Sequence, residues 1–302
     1  MFGNTDKSRE RVWLCRDKKL LLGDSPLIMG ILNVTPDSFS DGGEAMTVRD
    51  AMAKARRMVA DGTDIIDVGG MSTRPGFADV SEEDEQKRVL PVLAALRTEF
   101  PEFPISIDTF RVEVARRSLD AGADIINDVA ALVATDSTEM YKLVAQYGAG
   151  LVIMHAPQGL TYGVCDEHDG TEKDFVSCVV NDLNEAVHQA LQAGVDGKAI
   201  ACDPGIGFGK TPDLDFKLLT LGIIALRGLP YPVLIGASRK SFLSKITGAV
   251  AVEERIAPSV LAHMMACVCG ADIIRVHDVR QHRHALDVLM RDNKGKPGNS
   301  CI

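Results

Sequence analysis

The sequence predicts an α/β protein folded as a (β/α)8 TIM barrel, and three observations carry that expectation. First, a unit recurs. "DGTDIID" from Asp61, "AGADIIN" from Ala121 and "CGADIIR" from Cys269 each set a Gly where a helix can end in the left-handed conformation, then two isoleucines, then a polar residue: Asp67, Asn127 or Arg275. "YGAGLVIMH" follows the same plan and closes on His155. Second, eight short apolar runs alternate with amphipathic helical stretches, the pattern of a parallel sheet covered on its outer side. Third, the competing doubly wound open sheet would place a Gly-rich dinucleotide turn after its first strand, and "ILNVTPDSF" has none.

In chain order, "VWLCRDKKLLLGDSP" predicts a short N-terminal hairpin over about 10–27 that caps the barrel bottom. Strands are expected near 27–32, 64–68, 105–107, 124–126, 150–154, 199–202, 232–235 and 272–276. The helices between them read "VRDAMAKARRMVA", "EEDEQKRVLPVLAALRTEF", "VEVARRSL", "TEMYKLVAQY", "EKDFVSCVVNDLNEAVHQALQA", "LDFKLLTL", the stretch through "ERIAPSVLAHMMACV", and "ALDVLMR". Pro91 and Pro258 weaken two of these locally, and a kink or a first-turn position accommodates each. Residues 1–291 are expected to form a single domain, and "DNKGKPGNSCI" at 292–302 a disordered tail.

A formal charge of −9 argues against nucleic-acid or membrane-surface binding, so any anion must meet a local cationic pocket. The seven cysteines are scattered and lack zinc-type spacing, which predicts reduced thiols. No apolar stretch reaches membrane-spanning length and the charged start has no hydrophobic segment behind it, so a cytoplasmic protein is expected.

In such barrels the chemistry sits at the carboxyl ends of the strands. Here those ends carry Asn33, Asp67, Asp108, Asn127 with Asp128, His155, Asp203, the trio Ser238, Arg239 and Lys240, and Arg275 with His277. Singly, each could be a helix cap or a loop anchor; eight strands each delivering a polar group to one mouth are harder to explain that way. Asp108, Asn127 and Asp203 suit a flat heterocycle bearing donors and acceptors. Arg74, Lys240, Arg275 and His277, with Asn33, suit an anion and a hydrated Mg²⁺ bridging its oxygens. The mouth is therefore expected to hold a polar ring at one side and a phosphate group at the other.

Three loops add detail. "DPGIGFGKT" has glycines that allow close approach of backbone to a ligand, with Phe208 available to stack. "GASRKSF" follows a strand and opens a helix, which favours anion capture. "GGMSTRPG" reads as a mobile loop carrying Thr73, Arg74 and Pro75 over the mouth.

"MGILNVTPDSFSDGG", "DIIDVGGMSTRPG", "ISIDT", "INDV", "DPGIGFGK", "GASRKSF" and "IIRVHDV", in order over nearly the whole chain, closely resemble dihydropteroate synthases of the folate pathway. The resemblance implies a (β/α)8 barrel, usually a homodimer. The implied reaction joins 6-hydroxymethyl-7,8-dihydropterin diphosphate to 4-aminobenzoate and releases diphosphate with Mg²⁺. Carried over by position, Asp108, Asn127, Asp203 and Lys240 would hold the pterin, and Asn33, Arg74, Arg275 and His277 the diphosphate, Asn33 through the metal. Thr73, Pro75, Phe39, Phe208 and Ser241 would shape the aminobenzoate site, with Asp37 and Ser38 beside Phe39. Asp108, Asp203, Lys240 and Arg74 would carry catalysis. Met71 stands where the family commonly has Glu, and "MHAPQG" is one residue longer than the usual loop. Two other readings keep the pocket: a pterin-binding paralogue without turnover, and methyl transfer from a reduced folate to a corrinoid protein. The apolar helix "SVLAHMMACVCG" offers a dimer face, or equally core packing.

Overall fold

The structure is a computed structural model that describes residues 11–23, 25–35, 47–71, 80–132, 137–156, 172–249 and 251–291. Phe39, Thr73, Arg74 and Pro75, with Asp37, Ser38 and the 292–302 segment, lie outside the described residues.

Strands β1 (Arg11–Cys15) and β2 (Lys18–Leu22) pair antiparallel as the expected hairpin. Eight parallel strands follow: β3 (Leu27–Asn33), β4 (Ile65–Gly69), β5 (Ile105–Asp108), β6 (Ile125–Asp128), β7 (Gly150–Met154), β8 (Ile200–Asp203), β9 (Leu234–Ile235) and β10 (Ile273–Val276). They lie side by side in the order β8-β7-β6-β5-β4-β3-β10-β9, and a parallel bridge between Cys202 and Val233 joins β8 to β9 and closes the ring. The layer outside it is made by α1 (Val48–Ala60), α2 (Glu82–Glu99), α3 (Val112–Asp120), α4 (Ser137–Tyr147), α5 (Glu172–Gln192), α6 (Pro212–Lys217), α7 (Ile223–Leu226), α8 (Ser241–Thr247), α9 (Ile256–Cys269) and α10 (Val279–Leu289).

Local chemistry explains the boundaries. Thr47 and Ser81 cap α1 and α2, their hydroxyls accepting from the amides of Asp50 (3.2 Å) and Asp84 (3.1 Å). Pro91 lies inside α2 without ending it, and Pro258 falls in the first turn of α9, where a missing N–H costs little. The expected helix "LDFKLLTL" is divided between α6 and the π-helical turn that joins it to α7, α8 is an additional short helix, and two further differences have a local cause. β9 is two residues long because Pro232 has no N–H for the ladder, and only its carbonyl takes part, accepting from Cys202 N–H at 2.8 Å. α10 starts at Val279, six residues before "ALDVLMR", because the polar-looking "VRQHRH" turn buries its His282.

Period-two alternation sets the site. Met29, Ile65, Ile125, Val152, Ala201, Leu234 and Ile273 form one apolar cluster inside the ring, together with Trp13, Cys15 and Leu22 of the hairpin. Trp13 Nε1–H donates to the Ala199 carbonyl at 2.8 Å, which seats the plug. Gly150 leaves room for it, since a Cβ there would stand 2.6 Å from Cys15 Sγ. The residues between these on each strand, such as Ile28, Ile66, Ile126, Ile200 and Ile274, pack outward in the main core with the helices. Two positions beyond the inner apolar layer, the same strand faces deliver Asp67, Asn127, Asp203 and Arg275.

Candidate active site at the barrel mouth

Arg275, on β10, joins three strands. Its Nε donates to Asp67 Oδ2 and its Nη2 to Asp108 Oδ2, each at 2.6 Å, and Asn127 Nδ2 also reaches Asp67 Oδ2 at 3.3 Å. Asp67 is fully buried, and its Oδ1 has no hydrogen-bond partner among the described residues. Against the effect of its own burial, Asp67 and Asp108 hold the guanidinium above its ordinary range, so it stays charged. Burial pushes the Asp108 carboxyl up, with Asp67 and Glu85 adding to that and Arg275 opposing it. The expected division into a ring side and a phosphate side is therefore bridged: Arg275, assigned to the anion, is held in place by the carboxylates of the ring side.

The loop after β8 is braced by its own residues. Asp203 Oδ1 accepts from Gly205 N–H at 2.7 Å, and Asp215 Oδ1 from Gly207 N–H at 2.6 Å. Lys210 Nζ donates to the carbonyls of His155 (3.1 Å), Gly205 (2.8 Å) and Phe208 (2.8 Å). The glycines serve protein contacts. Gly205 has φ +67°, and a Cβ there would overlap the His155 carbonyl oxygen; at Gly207 a Cβ would stand 2.8 Å from Lys240 Cδ. Close approach of backbone to a ligand is thus not what these two positions require.

Lys240 closes over this loop. Its ammonium donates to the Ile206 carbonyl and stands 4.3 Å from the Phe208 ring centroid, a cation–π contact. Phe208 is itself buried with Val129, Met154 and Ala156, and Phe110 packs against them. Burial pushes Lys240 down to about 8, with Asp203 and Asp215 opposing, while burial raises Asp203 against Lys240 and the Gly205 amide.

The β9 and β10 loops are clamped together. Ser238 Oγ accepts from His277 N–H (3.1 Å) and lies 3.0 Å from His277 Nδ1. Arg239 holds Asp278 through Nε (2.9 Å) and Nη2 (2.5 Å). Arg239 has φ +58°, a costly conformation for a non-glycine residue, and Ser259 Oγ, accepting its N–H at 2.8 Å, helps hold it there.

At the rim, Asn33 and Asp108 converge on Gly69: a Cβ built there would lie 3.3 Å from Asn33 Oδ1 and 3.8 Å from Asp108 Oδ2. Ser241 is exposed at the start of α8. Met71 is half-buried beside Gly70, whose carbonyl accepts from Arg88 at 3.1 Å. The ion pair in this quarter belongs instead to Glu85 of α2 and Arg111, at 2.5 Å. His155, just after β7, lies 3.1 Å from Asp182 Oδ2 of α5, and burial pushes its imidazole down to about 3, so it is neutral. Asn33, Asp108, Asn127, Asp203, Phe208, Lys240, Ser241, Arg275 and His277 all stand at the mouth or the loops forming it. Asp67, read from the sequence as a strand-end residue of the mouth with no assigned role, is a brace, and the braces Glu85, Lys210 and Asp215 are not legible as site residues: Lys210 and Asp215 at least flank the "GIGFGK" run, whereas Glu85 looks like a solvated helix-start residue.

A closed barrel whose mouth balances buried carboxylates against a lysine and an arginine defines an enzyme of polar, anionic small molecules. The family model for pterin binding enzymes matches residues 29–277. The dihydropteroate synthase of Synechocystis sp. is 44% identical over 262 residues, covering 85% of this chain and 86% of that protein. That of Clostridium beijerinckii is 39% identical over 279 residues, covering 91% and 98%. The solved dihydropteroate synthase of Xanthomonas albilineans with 4-aminobenzoic acid superposes with a TM-score of 0.85 at 39% identity, covering 95% of this chain and all of that one. The chain belongs to the pterin binding enzymes and, among them, to the dihydropteroate synthases, transferases of folate synthesis.

Proposed function

We propose that the mouth binds the pterin diphosphate ring against Asp108, Asn127, Asp203 and Lys240. The diphosphate lies toward Asn33, Arg74, Arg275 and His277, and 4-aminobenzoate toward Thr73, Pro75, Phe39, Phe208 and Ser241. One observation supports this most: Arg275 joins Asp67 and Asp108 while Lys240 joins the loop after Asp203, so ring acceptors and cations share one rigid frame. Pterin carbon–oxygen cleavage leaves charge on diphosphate, and the cations stabilise it as it forms. The aromatic amine is neutral near pH 7 and needs no strong base, so the chain's work is positioning and electrostatics. Asp108 and Asp203, set against ring nitrogens, stabilise positive charge growing on the pterin methylene.

Among the described residues no group of three or more His, Cys, Asp or Glu could hold a metal. A lone amide oxygen at Asn33 nevertheless suits Mg²⁺, which commonly takes one or two protein oxygens and completes its shell from phosphate and water. When bound there, the ion would neutralise part of the diphosphate charge.

The test is diphosphate release from the purified chain, required to depend on both 4-aminobenzoate and Mg²⁺; release without the amine, or none, overturns the reading. Its pH profile carries a second expectation. Lys240 loses its charge as pH rises through about 8, so kcat/KM for the pterin diphosphate is expected to fall toward about tenfold per pH unit above that point. Lys240→Arg should be slower but lose this alkaline limb, because a guanidinium stays protonated.

A homodimer is supported by apolar side chains exposed on one flank: Leu261 (63%) and Val268 (52%) on α9, and Leu221 (53%) and Ile224 (57%) on the segment that packs against it. Sedimentation is expected to show a dimer that Leu261→Glu with Val268→Glu converts to monomer; a monomeric parent rejects the assignment. No helix among the described residues is long and apolar enough to cross a membrane, and we place the enzyme in the cytoplasm with its reduced cysteines.

A further inference from the structure

Behind the β9 and β10 loops two imidazoles meet. His263 on α9 and His282 on α10 are both fully buried, with ring centroids 4.9 Å apart in an edge-on arrangement. The Ala237 amide lies 3.1 Å from His263 Nε2, His263 Nδ1 lies 2.9 Å from His282 Nε2, and His282 Nδ1 lies 2.7 Å from the Asp278 carbonyl oxygen.

The two ends fix every proton. A backbone amide can only donate, so His263 Nε2 is bare and its proton sits on Nδ1, from which it donates to His282 Nε2. His282 then carries its own proton on Nδ1 and donates to a carbonyl, which can only accept. All four ring nitrogens are used, and both rings are neutral. Burial lowers both pKa values. Lys240, and His282 were it to take a proton, push His263 further down against the backbone of Ser259 and Ile235, while Asp278 and the Ser259 backbone oppose the shift on His282. A second proton on either ring would set two donors face to face.

We propose that His263 and His282 are positioning residues for the loop that carries Lys240 of the pterin site and, through Ser238, for His277 of the diphosphate site: a directed chain of three hydrogen bonds that fixes Ala237, and so Ser238, Arg239 and Lys240, relative to Asp278 and His277. The inference rests on the reading of that loop given above. The same two loops are tied at the front by Ser238 to His277 and by Arg239 to Asp278; the imidazoles tie them at the back. A proton relay does not fit, because the chain begins and ends on backbone groups that do not exchange protons with a substrate. Simple core filling does not fit either, since two buried polar rings cost more than aliphatic side chains unless every nitrogen is satisfied, and here each one is.

The experiment uses the full chain labelled with ¹⁵N-histidine. Two buried rings are expected as neutral Nδ1–H tautomers that do not titrate between about pH 6 and 8; an Nε2–H tautomer on His263, or titration of either ring in that range, overturns the proposal. His263→Leu removes the chain, whereas His263→Gln can still accept from Ala237 and donate to His282. At a temperature where all variants are folded, His263→Leu is expected to speed amide exchange at Ala237 to Lys240 and to weaken inorganic diphosphate binding, each by about tenfold, the worth of one net hydrogen bond. His263→Gln should stay within about threefold of the parent, and the KM for 4-aminobenzoate should not move. Parent-like exchange and binding in His263→Leu overturn the proposal. His282→Leu is the second arm if His263→Leu does not fold. If the parent itself fails to bind diphosphate, the reading of the loop falls, while the tautomers and the exchange rates still decide the chain of imidazoles.

Discussion

Arg275→Met is expected to lose about 3–5 kcal/mol of stability and at least about 10²-fold in kcat/KM. Methionine keeps much of the stem's volume and removes the donors that reach Asp67 and Asp108 at 2.6 Å. Asp67 has no exposed surface from which to recruit water, so its carboxylate would be left with only the 3.3 Å contact from Asn127. Urea unfolding measures the stability loss, and its pH dependence identifies the cause. Burial already raises the Asp108 carboxyl against the opposing charge of Arg275, and without the guanidinium its folded-state pKa lies further above the unfolded value of about 4. Groups raised in this way stabilise the fold when protonated and lose that contribution as pH rises. The deficit relative to the parent should therefore shrink as pH falls from about 7 toward about 4.5. Adding Asp67→Asn to Arg275→Met should recover part of the stability and none of the activity. A deficit below about 1 kcal/mol at neutral pH would mean that the carboxylates find other partners.

Gly205→Ala should cost at least about 3 kcal/mol, measured against Gly248→Ala as its control. Both positions have left-handed backbone, φ +67° and +75°, so each alanine bears the same conformational penalty of about 1–2 kcal/mol. They differ in space. A Cβ at Gly248 meets nothing within 4 Å, whereas at Gly205 it meets the His155 carbonyl oxygen, a backbone atom that cannot swing aside. The loop must shift instead, carrying the carbonyls that Lys210 holds and the Ile206 carbonyl that receives Lys240. Activity should fall with stability, by a rise in KM for both substrates. Equal costs for the two alanines would refute the steric argument.

Much of this was legible because barrel strands have a rigid period. The recurring pair of isoleucines, one facing in and one facing out, announces a buried strand, and the polar residue after them has to point inward. That is why Asp67, Asn127 and Arg275 could be placed at the mouth before any coordinates. What the chain order hides is partnership. Arg275 stands 208 residues from Asp67 and 167 from Asp108, and no local pattern says that an arginine chosen for an anion is first bound to carboxylates. Glycines have the same limit: "GIGFGK" shows that side chains are absent at those positions, but only packing shows that His155 and Lys240 are what they make room for. His263 reads as one polar residue in an apolar helix, and His282 lies in a turn too polar to be recognised as part of α10. Their meeting depends on two helices lying side by side.

The position of Arg275 in the ring also bears on how the molecule comes together. β10 is the last strand of the ring in chain order and sits between β3, the first of the ring, and β9. Until it docks, the sheet has a gap between β3 and β9, and Asp67 and Asp108, which point into the ring, lack the guanidinium that joins them. Docking shuts the gap and brings the guanidinium to both carboxyls in a single event, so assembly of this frame belongs to the end of folding, and a nascent chain that has not yet reached β10 holds an open sheet whose two carboxyls lack their shared partner.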